Sequence, residues 1–179
     1  MDRKKKNIIE LTRVSLDEYK EENKLPVKII VDSVRSMNNI GSFFRTADAF
    51  LIEEIVLCGI SACPPNPDIH KTALGAEESV KWRYVADVVA EVKELKEQGY
   101  EICALEQTHN SIELQNFYPR EGSKYAIIVG NEVDGVAQSA IDITDYVLEI
   151  PQCGIKHSLN VAVSAGIAMW HFFSKLNNK

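Results

Sequence analysis

The sequence predicts an α/β fold in which a mostly parallel sheet is flanked by helices. Short apolar runs alternate along the chain with segments of helical periodicity, which is the pattern of parallel α/β sheets. The 179 residues are 45% hydrophobic and 26% charged, as is usual for one globular domain with a buried core. No apolar run approaches the roughly 18 residues of a membrane span, and no secretion signal follows the N-terminus. We therefore expect one cytoplasmic domain with no membrane partner.

The expected elements follow one another in chain order. Residues 1–24 are expected to form a basic helical extension, because apolar residues recur there at Ile8, Leu11, Val14 and Leu16, and residues 25–179 are expected to form a single domain. Apolar runs of strand length predict six strands: Val27–Asp32, Glu54–Cys58, Lys81–Val85, Tyr100–Leu105, Tyr125–Val129 and Tyr146–Ile150. Helical periodicity between and after them predicts four helices: Gly41–Leu51, Val88–Gln98, Gly135–Ile141 and Leu159–Leu176. The three prolines of residues 64–67 predict a rigid loop, because proline disrupts helices and central strands.

The last predicted helix is apolar on nearly every side. Valine, alanine, isoleucine, methionine, tryptophan and phenylalanine occupy most positions between Leu159 and Leu176. A helix of this kind must be covered all round, which is difficult for a terminal helix in a domain of this size. We therefore expect a homodimer formed through the C-terminal helix.

The charge of the chain is divided unevenly. The net charge is −6, yet residues 1–13 carry five basic and two acidic side chains. An acidic total argues against a nucleic-acid partner, whereas a basic arm can contact a polyanion. The four cysteines form no CxxC pair and no zinc-like array, so we expect reduced thiols and no bound metal.

Three segments place polar residues and glycines at the carboxyl ends of predicted strands, where open α/β sheets bind ligands. They span residues 38–47, 127–136 and 150–160. Each also has a purely structural interpretation: an amphipathic helix with an exposed arginine, an ordinary strand–turn–helix connection, and a helix capped by Ser158. No phosphate-binding loop, dinucleotide fingerprint or nucleophile elbow is present, so the residues alone indicate a small-molecule pocket lined by Arg, Glu, Ser and Asn.

Taken in this order, the segments resemble the three motifs of the SpoU (TrmH-type) RNA 2′-O-ribose methyltransferases of the SPOUT superfamily. The first motif matches as Asn39–x–Gly41–x–x–x–Arg45–x–Ala47. The second matches as Gly130–x–Glu132–x–x–Gly135. The third matches as Ile150–Pro151–x–x–Gly154–x–x–x–Ser158–Leu159–Asn160–Val161. The resemblance extends from about Val27 to the C-terminus and leaves the basic arm unexplained.

The resemblance implies a fold, a cofactor and a set of site residues. The C-terminal part of the sheet would be tied in a deep trefoil knot that holds S-adenosylmethionine, and the protein would be a dimer. The implied cofactor contacts are Leu105, Gly130, Ile150, Ser158 and Leu159. The implied catalytic residues are Asn39, Arg45, Glu132, Ser158 and Asn160, and no metal takes part.

The implied reaction is methyl transfer to a ribose 2′-hydroxyl of RNA. Because a guanidinium stays protonated at neutral pH, we expect Arg45 to grip a phosphate and stabilise the developing alkoxide rather than to act as a base. The chain carries no large N-terminal RNA-binding domain, which favours tRNA over rRNA as the substrate. The alternatives are an rRNA methyltransferase, a knotted RNA-binding protein without catalysis, and a flavodoxin-like domain that matches the motifs by chance.

Overall fold

One sheet with helices on both faces makes up the computed structural model, which describes residues 3–7 and 14–177. The strands are β1 Leu25–Asp32, β2 Ile52–Cys58, β3 Trp82–Val85, β4 Tyr100–Leu105, β5 Ile112–Glu113, β6 Lys124–Val129 and β7 Tyr146–Glu149. The α-helices are α1 Leu16–Glu21, α2 Met37–Ala49, α3 Pro67–Ala73, α4 Ala76–Ser79, α5 Val88–Glu97, α6 Gln138–Ile141 and α7 Val161–Leu176. A short 3₁₀ helix, Leu114–Asn116, joins β5 to the loop before β6.

The sheet has the order β3-β2-β1-β6-β4-β7-β5, and all its strand pairs are parallel. This confirms the predicted α/β class. The two central strands, β1 and β6, are buried along most of their length because helices cover both faces of a parallel sheet. The carboxyl ends of β1, β6 and β4 therefore meet at the middle of one edge of the sheet, which is where this class of fold binds ligands.

Each face of the sheet has its own apolar core. Residues of α2, α3 and α7 pack on one face, against alternate residues of β1 such as Ile29. Residues of α5 and α6 pack on the opposite face, against neighbours such as Ile30. In α2 the predicted apolar stripe is confirmed, since Phe43, Phe44 and nearby apolar residues are buried while Arg45 is exposed.

Three helix starts differ from the sequence prediction. Helix α6 begins at Gln138, three residues after the predicted Gly135. Helix α2 begins at Met37, four residues early, because the Ser36 hydroxyl accepts the Asn39 N–H and caps it. Helix α7 begins at Val161, and its N-cap is Asn160, whose Oδ1 accepts the N–H groups of Ala162 and Val163. The purely structural interpretation of the third segment, in which Ser158 caps this helix, is therefore wrong.

Several short elements were not predicted. Proline at the first position of α3 needs no N–H partner, so this helix starts inside the expected proline loop, and Asn66 caps it. Helix α4 and strand β5 are too short to show a period of their own. In the N-terminal extension, the described helix is limited to α1, which begins at a capping box of Ser15 and Glu18. Ile8 and Leu11 lie outside the described residues.

Helix α7 is covered on only part of its surface. Ala165, Ala168, Met169 and Phe172 are buried against the sheet. On the other side, Val163, Ile167 and Trp170 expose 52%, 39% and 54% of their surfaces. These three residues follow one another at helical spacing and form an apolar stripe, here called the α7 stripe.

The described residues include no helix that is long and apolar enough to cross a membrane. They also contain no group of three or more His, Cys, Asp or Glu side chains suited to a metal ion. All four cysteines are free, and Cys58 and Cys103 lie within buried strands as expected. The trefoil knot implied by the resemblance stays a prediction.

Candidate active site

A cavity of about 670 Å³ opens at the carboxyl ends of β4, β6 and β7. Its walls are formed mainly by residues 105–108, 129–136, 148–150 and 157–161. These segments follow neighbouring strands of a parallel sheet, so their loops converge on one side of it. Seven of the predicted site residues line the cavity: Leu105, Gly130, Glu132, Ile150, Ser158, Leu159 and Asn160.

A chain of hydrogen bonds joins the three motifs beside this cavity. Asn39 Nδ2 donates to Glu132 Oε1 over 3.0 Å, and Asn160 Nδ2 donates to Asn39 Oδ1 over 3.2 Å. Asn160 is itself oriented, because its Oδ1 accepts the Ala162 N–H over 2.9 Å at the start of α7. The amide of Asn39 is therefore fixed between a carboxylate of the second motif and an amide of the third.

Glu132 serves here as an acceptor that holds the start of α2. Besides Asn39, its carboxylate accepts the backbone N–H groups of Arg35 (3.3 Å) and Ser36 (3.2 Å). Desolvation alone would raise the pKa of Glu132, but the hydrogen bonds from backbone N–H groups and Asn39 outweigh it and hold the pKa below its ordinary value. A carboxylate with this many donors is a poor proton acceptor and a good structural anchor.

The loop after β6 depends on close approach of its backbone at two glycines. A Cβ placed on Gly130 would overlap the backbone of Gly135 and Val136. Gly135 has a φ of 69°, and a Cβ there would overlap the carboxylate of Glu106. Only glycine fits both positions, and the result is a tight turn in which Asn131 and Gly135 exchange backbone hydrogen bonds of 3.1 and 3.2 Å.

Two carboxylates hold this loop from the strands on either side of β6. Asp32, at the end of β1, accepts the Ala137 N–H over 3.0 Å. Glu106, directly after β4, accepts the Val136 N–H over 3.1 Å. Neither residue was identified from the sequence, although each is an acidic residue at the carboxyl end of a strand. They fix the wall of the cavity that carries Glu132.

The remaining predicted residues are not brought into this hydrogen-bonded chain. Ser158 is exposed and lines the cavity from the loop before α7. Arg45 is exposed on α2 and does not line the cavity. It lies six residues after Asn39, which places the two side chains on different sides of the helix. Among the described residues of this chain, no hydrogen bond joins Arg45 to Asn39, Glu132, Ser158 or Asn160.

The comparisons with known proteins agree with the motifs. The model of the SpoU rRNA Methylase family matches residues 26–170. The 23S rRNA (guanosine-2′-O-)-methyltransferase RlmB of Vibrio parahaemolyticus is 29% identical over 163 residues, which cover 90% of this chain and 64% of the relative. The chain thus spans less than two thirds of the length of the curated relatives it matches first.

Two solved structures share the fold. The A. aeolicus TrmH/SpoU tRNA modifying enzyme superposes with a TM-score of 0.79 at 23% identity, covering 89% of this chain and 81% of that one. The SpoU methyltransferase AviRb from Streptomyces viridochromogenes, in complex with AdoMet, gives a TM-score of 0.73 at 23% identity, with 86% and 58% covered. With the family match over most of its length and the three motifs joined at one cavity, this chain belongs to the SpoU family of RNA methyltransferases.

Proposed function

We propose that this protein transfers a methyl group from S-adenosylmethionine to a ribose 2′-hydroxyl of RNA, with tRNA as the substrate. The observation that carries the proposal is the hydrogen-bonded chain from Glu132 through Asn39 to Asn160, beside a cavity of cofactor size. Backbone N–H groups fix the Glu132 carboxylate and the Asn160 amide, which in turn fix the Asn39 amide. The three side chains therefore need no reorganisation when a substrate binds. The 2′-O specificity follows the named activity of the Vibrio parahaemolyticus relative.

The residues of the cavity fit S-adenosylmethionine. The two glycines of the loop after β6 allow the tight turn that shapes one wall of the cavity, and the loops supply main-chain donors and acceptors. Leu105, Gly130, Ile150, Ser158 and Leu159 line the cavity and would hold the cofactor. When bound, the cofactor supplies a methyl group on a positively charged sulfur.

Arg45 acts on the RNA from the opposite subunit of a homodimer. The α7 stripe needs an apolar cover, and a second copy of the chain supplies one. Helix α2 adjoins this stripe, because Phe50 at its end packs on Trp170 and Phe173 with ring centroids 5.6 and 5.2 Å apart. A dimer built on α7 would therefore bring the α2 helix of one subunit near the other, and Arg45 with it.

In this arrangement Arg45 binds a phosphate next to the target nucleotide through two hydrogen bonds and stabilises the negative charge that develops on the 2′-oxygen. Asn39 and Asn160 hold the ribose in line with the methyl group, since positioning supplies much of the rate of such a transfer. The proton of the hydroxyl leaves to solvent. The chain works in the cytoplasm, where its four free thiols stay reduced.

The substrate is tested by incubating the protein with tritium-labelled S-adenosylmethionine and, separately, purified tRNA and rRNA. We expect label in tRNA, in keeping with the A. aeolicus neighbour, which is named as a tRNA modifying enzyme. RNA made by transcription in vitro, which lacks earlier modifications, serves as the acceptor in parallel. Label in rRNA but not in tRNA would contradict the proposal that tRNA is the substrate.

The hydrogen-bonded chain is tested by replacing Asn160 with aspartate. Aspartate is as good an N-cap as asparagine, so α7 and the unfolding temperature should be preserved. The donor to Asn39 Oδ1 is lost and replaced by a carboxylate, so we expect kcat to fall about 10- to 100-fold. Asn160→Ala is the comparison, since it loses the cap as well and should also lower the unfolding temperature. Full activity of Asn160→Asp would show that Asn39 needs no orientation by the third motif.

A further inference from the structure

The cavity carries an unusual charge for the site of an RNA-modifying enzyme. Four carboxylates line it: Glu106, Glu132, Asp134 and Glu149. Among the described residues, no lysine or arginine lines the cavity, and His157 is its one side chain with a basic nitrogen. The wall therefore presents several negative charges to any ligand inside it.

These charges are not neutralised by ion pairs. Over residues 3–7 and 14–177, none of the four carboxylates takes part in a salt bridge. Their hydrogen-bond donors are neutral instead: Glu149 accepts the Ser111 hydroxyl over 2.7 Å, and Glu106 accepts the N–H groups of Gln107 (2.8 Å) and Val136 (3.1 Å). Neutral donors fix a carboxylate in place while leaving its charge to act on the ligand.

The reaction changes the charge of the ligand by one unit. As the methyl group bonds to the 2′-oxygen, the carbon–sulfur bond breaks and its electron pair stays on sulfur. The sulfonium of S-adenosylmethionine thereby becomes the neutral thioether of S-adenosylhomocysteine, and the hydroxyl proton leaves to solvent. The donor is cationic at sulfur and the product is not, although the rest of the two molecules is the same.

We propose that the acidic wall makes this cavity select the cationic methyl donor over its neutral product, with Glu106 as the residue that determines the specificity. Glu106 directly follows Leu105, lines the cavity, and has both carboxylate oxygens fixed by backbone N–H groups. Glu132, by contrast, lies against the N-terminus of α2, whose partial positive charge offsets part of its own. Asp134 is at the exposed tip of the loop. The selection promotes product release after each transfer.

The proposal rests on the proposed function in taking the sulfonium cofactor as the ligand of this cavity, and its test needs no RNA. Calorimetric titrations measure Kd for S-adenosylmethionine and for S-adenosylhomocysteine in the full chain and in Glu106→Gln. Glutamine removes the charge and keeps one carbonyl oxygen for the Val136 N–H, while its NH2 group takes the place of the oxygen that accepts the Gln107 N–H. Glu94→Gln removes the same charge from an exposed position of α5 that does not line the cavity, and it serves as the matched control.

We expect the unaltered protein to bind the cationic donor more tightly than the product. In Glu106→Gln the ratio of the two Kd values should fall about fivefold, the effect of one unit charge at short range in a hydrated cavity. Glu94→Gln should leave the ratio unchanged. In the unaltered protein, raising the salt from about 0.05 to about 0.5 M should weaken binding of the donor and leave that of the product nearly constant, because salt screens only the charge-dependent part.

Three results would overturn the proposal. A Kd ratio that does not change in folded Glu106→Gln would remove Glu106 from the selection. If that variant fails to fold, the unaltered protein provides the test: a Kd for the donor that depends on salt no more than the Kd for the product would contradict the proposal. Binding of neither compound would overturn both the selection and the assignment of the cavity. Failure to methylate RNA, in contrast, would contradict the proposed function and leave these titrations valid.

Discussion

Replacing Arg45 by alanine is expected to lower methyl transfer to RNA by about 100- to 1000-fold, the range found when one donor to a developing oxyanion is removed. The side chain is exposed on α2 and does not line the cofactor cavity of its own chain. Its loss should therefore leave the fold and the Kd for S-adenosylmethionine unchanged. Single-turnover rates with saturating RNA, together with calorimetric titration of the cofactor, separate the two effects.

Two further variants test why this position needs arginine. Arg45→Lys keeps the positive charge and loses the planar fork, so it should recover only a small part of the rate. Arg120 is an exposed arginine that precedes β6, at the end of the strands opposite the cavity, and it pairs with Glu101. Arg120→Ala should therefore retain the rate of methyl transfer. Near-normal methylation by Arg45→Ala with cofactor bound would show that Arg45 has no part in the reaction.

Gly130→Ala is expected to raise the Kd for S-adenosylmethionine by about 100-fold or more. The added Cβ would overlap the backbone of Gly135 and Val136, so the loop must move out of its turn. Its movement would break the hydrogen bonds from Val136 to Glu106 and from Ala137 to Asp32, each worth about 1 kcal/mol, and more where a buried charged acceptor is left unpaired. Calorimetry measures the Kd, and thermal unfolding reports the lower stability.

Gly166→Ala is the matched control for Gly130→Ala. Gly166 lies within α7, and a Cβ there would meet only Thr46 Cγ2, at an ordinary contact distance of 3.8 Å. Alanine in a helix interior stabilises by about 0.5–1 kcal/mol relative to glycine, so the unfolding temperature should hold or rise. Cofactor binding by Gly130→Ala at the affinity of the unaltered protein would contradict the tight-turn account of the cavity.

Mixing the Arg45→Ala and Gly130→Ala variants tests whether Arg45 acts across the dimer. Arg45→Ala lacks the group that acts on RNA, and Gly130→Ala lacks the cofactor cavity. In a heterodimer of the two, one of the two composite sites keeps both parts if Arg45 is supplied by the opposite subunit. Recovery of activity on mixing would support the dimeric site, and its absence in a verified heterodimer would place Arg45 and cofactor in one chain.

The fold class could be predicted from the sequence because it depends on local patterns. Buried strands such as β1 and β6 are continuous apolar runs, and α2 shows its stripe within a few turns. Helix α7 shows the limit of such patterns. Its first residue was misplaced by two, since Ser158 and Asn160 are both good N-caps and only the contacts around them decide between the two.

Most of the residues predicted for the site lie around one cavity, whereas the contacts that join them could not be predicted. Asn39 bonds to Glu132 across 93 residues of sequence and to Asn160 across 121. Asp32 and Glu106 were missed for the same reason, because the N–H groups they accept lie 105 and 30 residues further along the chain. Only the sheet order, which places β6 between β1 and β4, brings these groups together. The acidic wall of the cavity likewise could not be read from a net charge of −6.

The most direct test of the account is the position of the transferred methyl group. RNA labelled with tritiated S-adenosylmethionine is hydrolysed in alkali, which cleaves the chain only where the neighbouring 2′-hydroxyl is free. We expect the label in an alkali-stable dinucleotide, because a 2′-O-methyl group blocks cleavage at that nucleotide. Label recovered in mononucleotides would place the methyl group on a base and would contradict ribose methylation by this site.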